Sequence, residues 1–79
     1  MRILKNIALS DTGFLFNPST GDSYSVNEIG QKIINLLQEG KEDEEIIKAI
    51  LENYRIDKSS VEKDLYDFKN MLLAYKLAE

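Results

Sequence analysis

Few residues in this chain are equipped for chemistry. It has no His and no Cys, so the commonest general base, the commonest metal ligand and the thiolate nucleophile are all missing. What remains is carboxylates. Asp11-Thr12-Gly13 matches the D-[ST]-G signature of aspartic proteases. That chemistry needs two such carboxylates sharing one proton, on a mostly β fold. Residues 27 onward read as helix, so the triplet is assigned to a turn between two strands. The run Glu42-Asp43-Glu44-Glu45 lacks the alternation and the Gly of a calcium loop. Four carboxylates there suit the positive end of a helix macrodipole. Asp64 and Asp67 stand at i, i+3 and can pair for acid–base work. Without a His or a Gly-rich phosphate loop, they read as a solvated helix face. Asn17-Pro18-Ser19 has Pro at its centre and is no glycosylation acceptor. The expectation is a protein with no catalytic residue, no metal and no cofactor.

The chain must still fold. Seventy-nine residues make one domain, 1–79. Leu, Ile, Val and Phe number 24 of 79, too many for a disordered chain and enough for one small core. The absence of Cys fits a reducing compartment. No apolar run approaches a membrane span, and Met1-Arg2-Ile3-Leu4-Lys5-Asn6 is too polar for a signal peptide. A cytoplasmic protein is expected. Its net charge of −4 argues against nucleic acid and anionic membrane as partners.

The elements divide into a β-type third and a helical remainder. Residues 3–9 are apolar with partial alternation, Ile3, Lys5, Ile7 and Leu9 on one side. Ser10–Gly13 is turn chemistry, and Phe14–Asn17 is a short aromatic strand. Pro18–Gly21 is a second turn. Asp22–Val26 alternates cleanly, with Tyr24 and Val26 facing one way and Ser23 and Ser25 the other. Three antiparallel strands in a meander follow, and so small a sheet needs helices on one face.

Asn27 is suited to a helix N-cap, and Ile29, Ile33, Leu36 and Leu37 recur as one stripe until Gly40 stops it. A second helix starts near Glu42, with Ile46, Ile47, Ile50, Leu51 and Tyr54 as its apolar face. Ser59 and Glu62 fit a capping box for the longest helix, about residues 60–76. The predicted fold class is α+β, in the order β-β-β-α-α-α.

Two features suggest a binding surface. In a meander the third strand is an edge, with one row of unpaired backbone groups. Residues 22–26 carry no Lys, no Pro and no other blunting residue except Asp22. The second feature is the last helix. Val61, Leu65, Phe68, Leu72 and Tyr75 form its core face, and Tyr66 and Leu73, with Lys69, spill over on one side only. An edge and an apolar overhang can form two walls of a groove for an extended peptide.

The pattern Phe14-Leu15-Phe16-Asn17-Pro18-x-Thr20-Gly21-x-x-Tyr24-x-Val26-Asn27-x-x-Gly30-x-x-Ile33 resembles the PqqD family. So do Leu37, Gly40, Glu45-Ile46, Tyr54, Val61-x-x-Asp64-Leu65-x-x-Phe68 and the closing Lys76-Leu77. The likeness spans about residues 5–77. Val26 departs from it, since members more often have Leu before the Asn. These small domains are peptide-recognition elements of ribosomal peptide-modification pathways. The resemblance implies a winged-helix-like fold, with a three-stranded antiparallel sheet followed by a three-helix bundle. It implies a non-catalytic module that takes the leader of a precursor peptide as an added strand beside strand three, against the last helix. It further implies a modifying enzyme, often a radical-SAM protein, as second partner.

Carried over by position, the contact surface is Ser23, Tyr24, Ser25 and Val26 with Leu65, Tyr66, Lys69 and Leu73. The choice of side chains on the helix rests on the helical wheel alone. Two other readings stay open: a PqqD-like module for a protein partner outside peptide modification, and a DNA-binding winged helix. Against the latter, the last helix sets Glu62, Asp64 and Asp67 against Lys63, Lys69 and Lys76 and has no charge to spend on phosphates.

Overall fold

The computed structural model describes residues 1–79. Its elements are β1 (Ala8–Leu9), β2 (Phe14–Asn17), β3 (Asp22–Ser25), α1 (Glu28–Gln38), α2 (Asp43–Asn53) and α3 (Lys58–Ala74). The sheet is open and antiparallel, in the order β1-β2-β3. The predicted β-β-β-α-α-α order and the winged-helix-like arrangement are what the chain adopts.

The turns and caps follow the residue chemistry. Asn27 is the N-cap of α1, its side chain accepting from Gly30 N–H at 2.8 Å. Gly40 ends α1 in the left-handed region, φ 83°. There Gly40 N–H reaches the Leu37 carbonyl and Lys41 N–H the Leu36 carbonyl, the paired bonds of a Schellman cap. Helix α2 opens on Glu42 and Glu45, which form a reciprocal capping box.

Two expectations are corrected. The first strand is far shorter than residues 3–9. Lys5 and Asn6 turn, and Ile7 N–H bonds the Leu4 carbonyl. Ile3 and Ile7 are buried while Lys5 is exposed. Ile3 instead bridges Ala78, and Arg2 and Glu79 exchange backbone hydrogen bonds at 2.8 Å and pair their side chains. The second correction is the start of α3. Its N-cap is Asp57, not Ser59. The Asp57 carboxylate accepts Ser60 N–H and the hydroxyls of Ser59 and Ser60. An ionised acceptor outcompetes a serine hydroxyl for these donors. The same bonds hold its pKa down at about 2.

The helices close over one face of the sheet. Leu15, Ile34, Ile46, Ile50, Leu72 and Leu77 are fully enclosed, each worth about 1.5–3 kcal/mol of burial. Helix α3 ends in a second Schellman cap, Leu77 N–H to the Leu72 carbonyl and Lys76 N–H to the Leu73 carbonyl. Its left-handed residue is Lys76, φ 60°, a conformation that glycine takes without strain.

Candidate functional site

The edge strand has a definite phase. Val26 N–H donates to the Gly13 carbonyl at 2.8 Å, and β2 pairs Leu15 with Tyr24 and Asn17 with Asp22. Hydrogen-bonded and non-hydrogen-bonded pairs alternate along an antiparallel ladder. The 13/26, 15/24 and 17/22 pairs are therefore the bonded ones. Phe14 points its carbonyl the other way, to Ser10 N–H at 2.8 Å, as that phase requires. It follows that Ser23 and Ser25 turn their N–H and C=O groups outward, away from β2. No other strand covers them. The N-terminal segment is engaged elsewhere, clasped to the C-terminus.

The inner face of β3 meets α3. The Tyr24 ring stacks on Tyr75, centroids 4.6 Å apart and planes 12° from parallel. Desolvation, then the Asp22 and Tyr75 charges, raise the Tyr24 hydroxyl above the usual tyrosine value. It stays protonated through the physiological range. Just past the end of β3 a groove of about 380 Å³ opens, lined by Asn27, Ile29, Gly30, Ile33, Asp64, Asp67, Phe68 and Met71. Its waist depends on Gly30, where an added Cβ would stand 3.1 Å from the Phe68 ring and 3.3 Å from the Asn27 side-chain oxygen. Asp67 accepts from Lys63 Nζ at 2.8 Å, a bond that raises the lysine pKa.

The expected surface does not assemble as one groove. Ser23, Tyr24 and Ser25 lie on β3, with Val26 just beyond it. Leu65, Tyr66, Lys69 and Leu73 do come together, but in a second groove with Met1, Asp43 and Ile47, between α2 and α3. Lys69 Nζ is tied to the Asp43 carboxylate at 2.9 Å, and Leu65 is 2% exposed. Tyr66 precedes Tyr75 by nine residues, about half a turn of angle at 100° per residue. Since Tyr75 is the residue that touches β3, Tyr66 points away from the edge. On the flank toward β3, Tyr75 stacks on Tyr24, and Phe68 and Met71 line the groove that starts at Asn27. The apolar periodicity assigns Phe68 and Tyr75 to the core. The available hint is Gly30, since a glycine inside a helical pattern marks a close approach.

No three His, Cys, Asp or Glu side chains gather to hold a metal ion, and no helix is long and apolar enough to cross a membrane. The site offers pairing and apolar contact.

Known proteins share this fold. A solved structure described as TbiB1 in complex with the TbiA(beta) leader peptide is 36% identical, with a TM-score of 0.87, covering 100% of this chain and 95% of that one. A lasso peptide synthetase B1 complexed with the leader peptide is 20% identical, TM-score 0.86, covering 99% and 95%, a likeness of fold. No curated protein matches the sequence. The family model described as coenzyme PQQ synthesis protein D (PqqD) matches residues 12–78, from the turn before β2 to the bridge after α3. The chain belongs to the PqqD family.

Proposed function

We propose that this chain is a non-catalytic carrier that binds the leader of a ribosomally made precursor peptide and presents it to a modifying enzyme. The leader adds to the sheet as a fourth strand along Ser23, Tyr24, Ser25 and Val26. It continues into the groove floored by Phe68 and Met71, with Tyr75 between. Tyr66, Lys69 and Leu73, on the other flank of α3, take no part. The observation that carries the reading is the outward phase of Ser23 and Ser25, which leaves two N–H and two C=O groups unpaired on an edge that leads to the groove at Asn27. The leader-bound structures of relatives support it.

The magnitudes say where affinity must come from. Four hydrogen bonds at about 0.5–1.5 kcal/mol each are matched by the roughly 2–5 kcal/mol cost of ordering a flexible peptide. Association costs at least about 4 kcal/mol more. Backbone pairing therefore sets register, and apolar anchors of about 1.5–3 kcal/mol each decide binding. The partner enzyme belongs to the radical-SAM class in this reading, as in many pathways that use the family.

The test is a titration of isotope-labelled protein with synthetic N-terminal segments of short peptides encoded beside its gene, against scrambled controls. Amides of residues 22–27 and 64–75 should shift with one segment only. Shifts confined to the α2–α3 groove, or none with any segment, overturn the reading.

A further inference from the structure

The outer face of the sheet carries an apolar row that the chain covers only by half. Phe14 is 49% exposed and Phe16 42%. Across from them on β3 stand Ser25 and Ser23, paired Phe14 to Ser25 and Phe16 to Ser23. These are the non-hydrogen-bonded pairs, where side chains approach most closely. The phase that turns the Ser23 and Ser25 backbone outward also sets their side chains on this outer face. Residues directly opposite one another in neighbouring strands share a face. Any peptide residue paired opposite Ser23 or Ser25 therefore projects onto the phenylalanine side, whichever way the peptide runs.

From this juxtaposition we propose that Phe14 and Phe16 are specificity-determining residues for the bound strand. They take apolar side chains from the two peptide positions, one residue apart, that pair with Ser25 and Ser23. The inference rests on the docking reading above. Serine is what makes the contact possible. Phe14 and Phe16 lie two strands from the guest, roughly 10 Å in backbone spacing. A bulky residue on β3 would fill that interval, whereas two serines leave a trough across which an aromatic ring and a long apolar side chain can lean together. A second copy of the chain is the weaker occupant, since two half-exposed rings fall far short of the roughly 800 Å² per partner that a stable interface buries. The preferred ligand is thus read in both phases. Its residue opposite Tyr24 faces the helix side, and the residues before and after it face the phenylalanines.

The probe is a displayed library of random dodecapeptides, panned in parallel on the wild-type chain and on F14T/F16T, threonine keeping strand propensity. Wild type should enrich peptides with apolar residues at two positions separated by one. The variant should lose that enrichment and keep the preference at the intervening position. In a second arm, Ser23→Phe fills the trough. It should weaken wild-type winners by about tenfold and spare derivatives with Ala at the two outward positions. Equal enrichment on both targets, or a Ser23→Phe variant that weakens winners and derivatives alike, overturns the role of Phe14 and Phe16. Winners that leave the amides of residues 23–26 unmoved, or no winners at all, sink the docking reading beneath it.

Discussion

The two flanks of α3 are alike in composition and unlike in what they border. One carries Asp64, Asp67, Phe68, Met71 and Tyr75; the other carries Leu65, Tyr66, Lys69 and Leu73. Each lines a groove, of about 380 Å³ toward α1 and about 470 Å³ toward α2. Each mixes apolar side chains with carboxylates. Tyr66 is even the most exposed large apolar residue on the helix, at 68%. Yet only the first flank lies beside unpaired main chain. The α2 flank has satisfied its one cation, Lys69 on Asp43, and offers a peptide no ladder to extend. Exposure alone ranks the α2 flank first for an extended ligand. The nearness of a free edge ranks them the other way.

The sharpest break of this comparison is at the edge itself. Ser25→Pro removes an N–H that faces outward and puts the pyrrolidine ring where the guest strand would pair, so it should abolish leader binding and leave the far-UV circular dichroism intact. Tyr24→Pro removes the N–H of a residue bonded to Leu15 and should unfold the sheet. If both variants misfold, the assigned phase of β3 is wrong.

Next come the flanks. Phe68→Ala should weaken binding by about tenfold or more and cost about 1–3 kcal/mol of stability, less than a fully buried ring would. Tyr66→Ala and Leu73→Asp should change affinity less than about twofold, within the spread of surface substitutions. A titration in which Leu73→Asp weakens binding and Phe68→Ala does not would exchange the roles of the flanks. The carboxylates give a smaller effect. With Asp64 and Asp67 lining the groove and a net charge of −4, a Lys- or Arg-bearing leader should bind more weakly as ionic strength rises. Affinity independent of salt would remove steering from the account.

The two ends of α3 support both flanks equally, so changes there should move stability and spare the contrast. Asp57 is held at about 2 against its usual 3.8. A lowered carboxyl pKa contributes stability in full above about pH 4 and loses it as pH falls toward 2. Asp57→Asn should flatten that part of the stability–pH curve, measured by denaturant melts between pH 2 and 5. The smallest effect is a gain. Lys76→Gly relieves the left-handed residue of the final cap and should stabilise the fold by about 0.5–1 kcal/mol, seen as a higher melting temperature with leader affinity unchanged.

Much of this was legible beforehand, for local reasons. Asn27 and Gly40 delimit α1 because each satisfies orphan groups within a few residues. Tyr24 and Val26 alternate with Ser23 and Ser25, which fixes the two faces of the last strand. What escaped was whatever depends on distant partners or on competition between neighbouring caps. Ile3 reads as a strand residue, but its partner is Ala78. Asp57 and Ser59 are both good caps, and the choice between them rests on how many donors one carboxylate can gather. The helical wheel gives the angle between Tyr66 and the core face. It holds no information about which side of α3 the sheet edge lies on, and Tyr75, stacked on Tyr24, is what supplies it.

The clasp between Arg2 and Glu79 brings both chain ends to one spot. Met1 lines the α2 groove there, across α3 from the sheet edge. A tether, label or second protein joined at the N-terminal end would leave from the α2 side of α3, where Met1 lies. Sewing the two ends together and cutting the chain at the exposed Gly40–Lys41 turn should yield a permuted carrier with an unaltered dock.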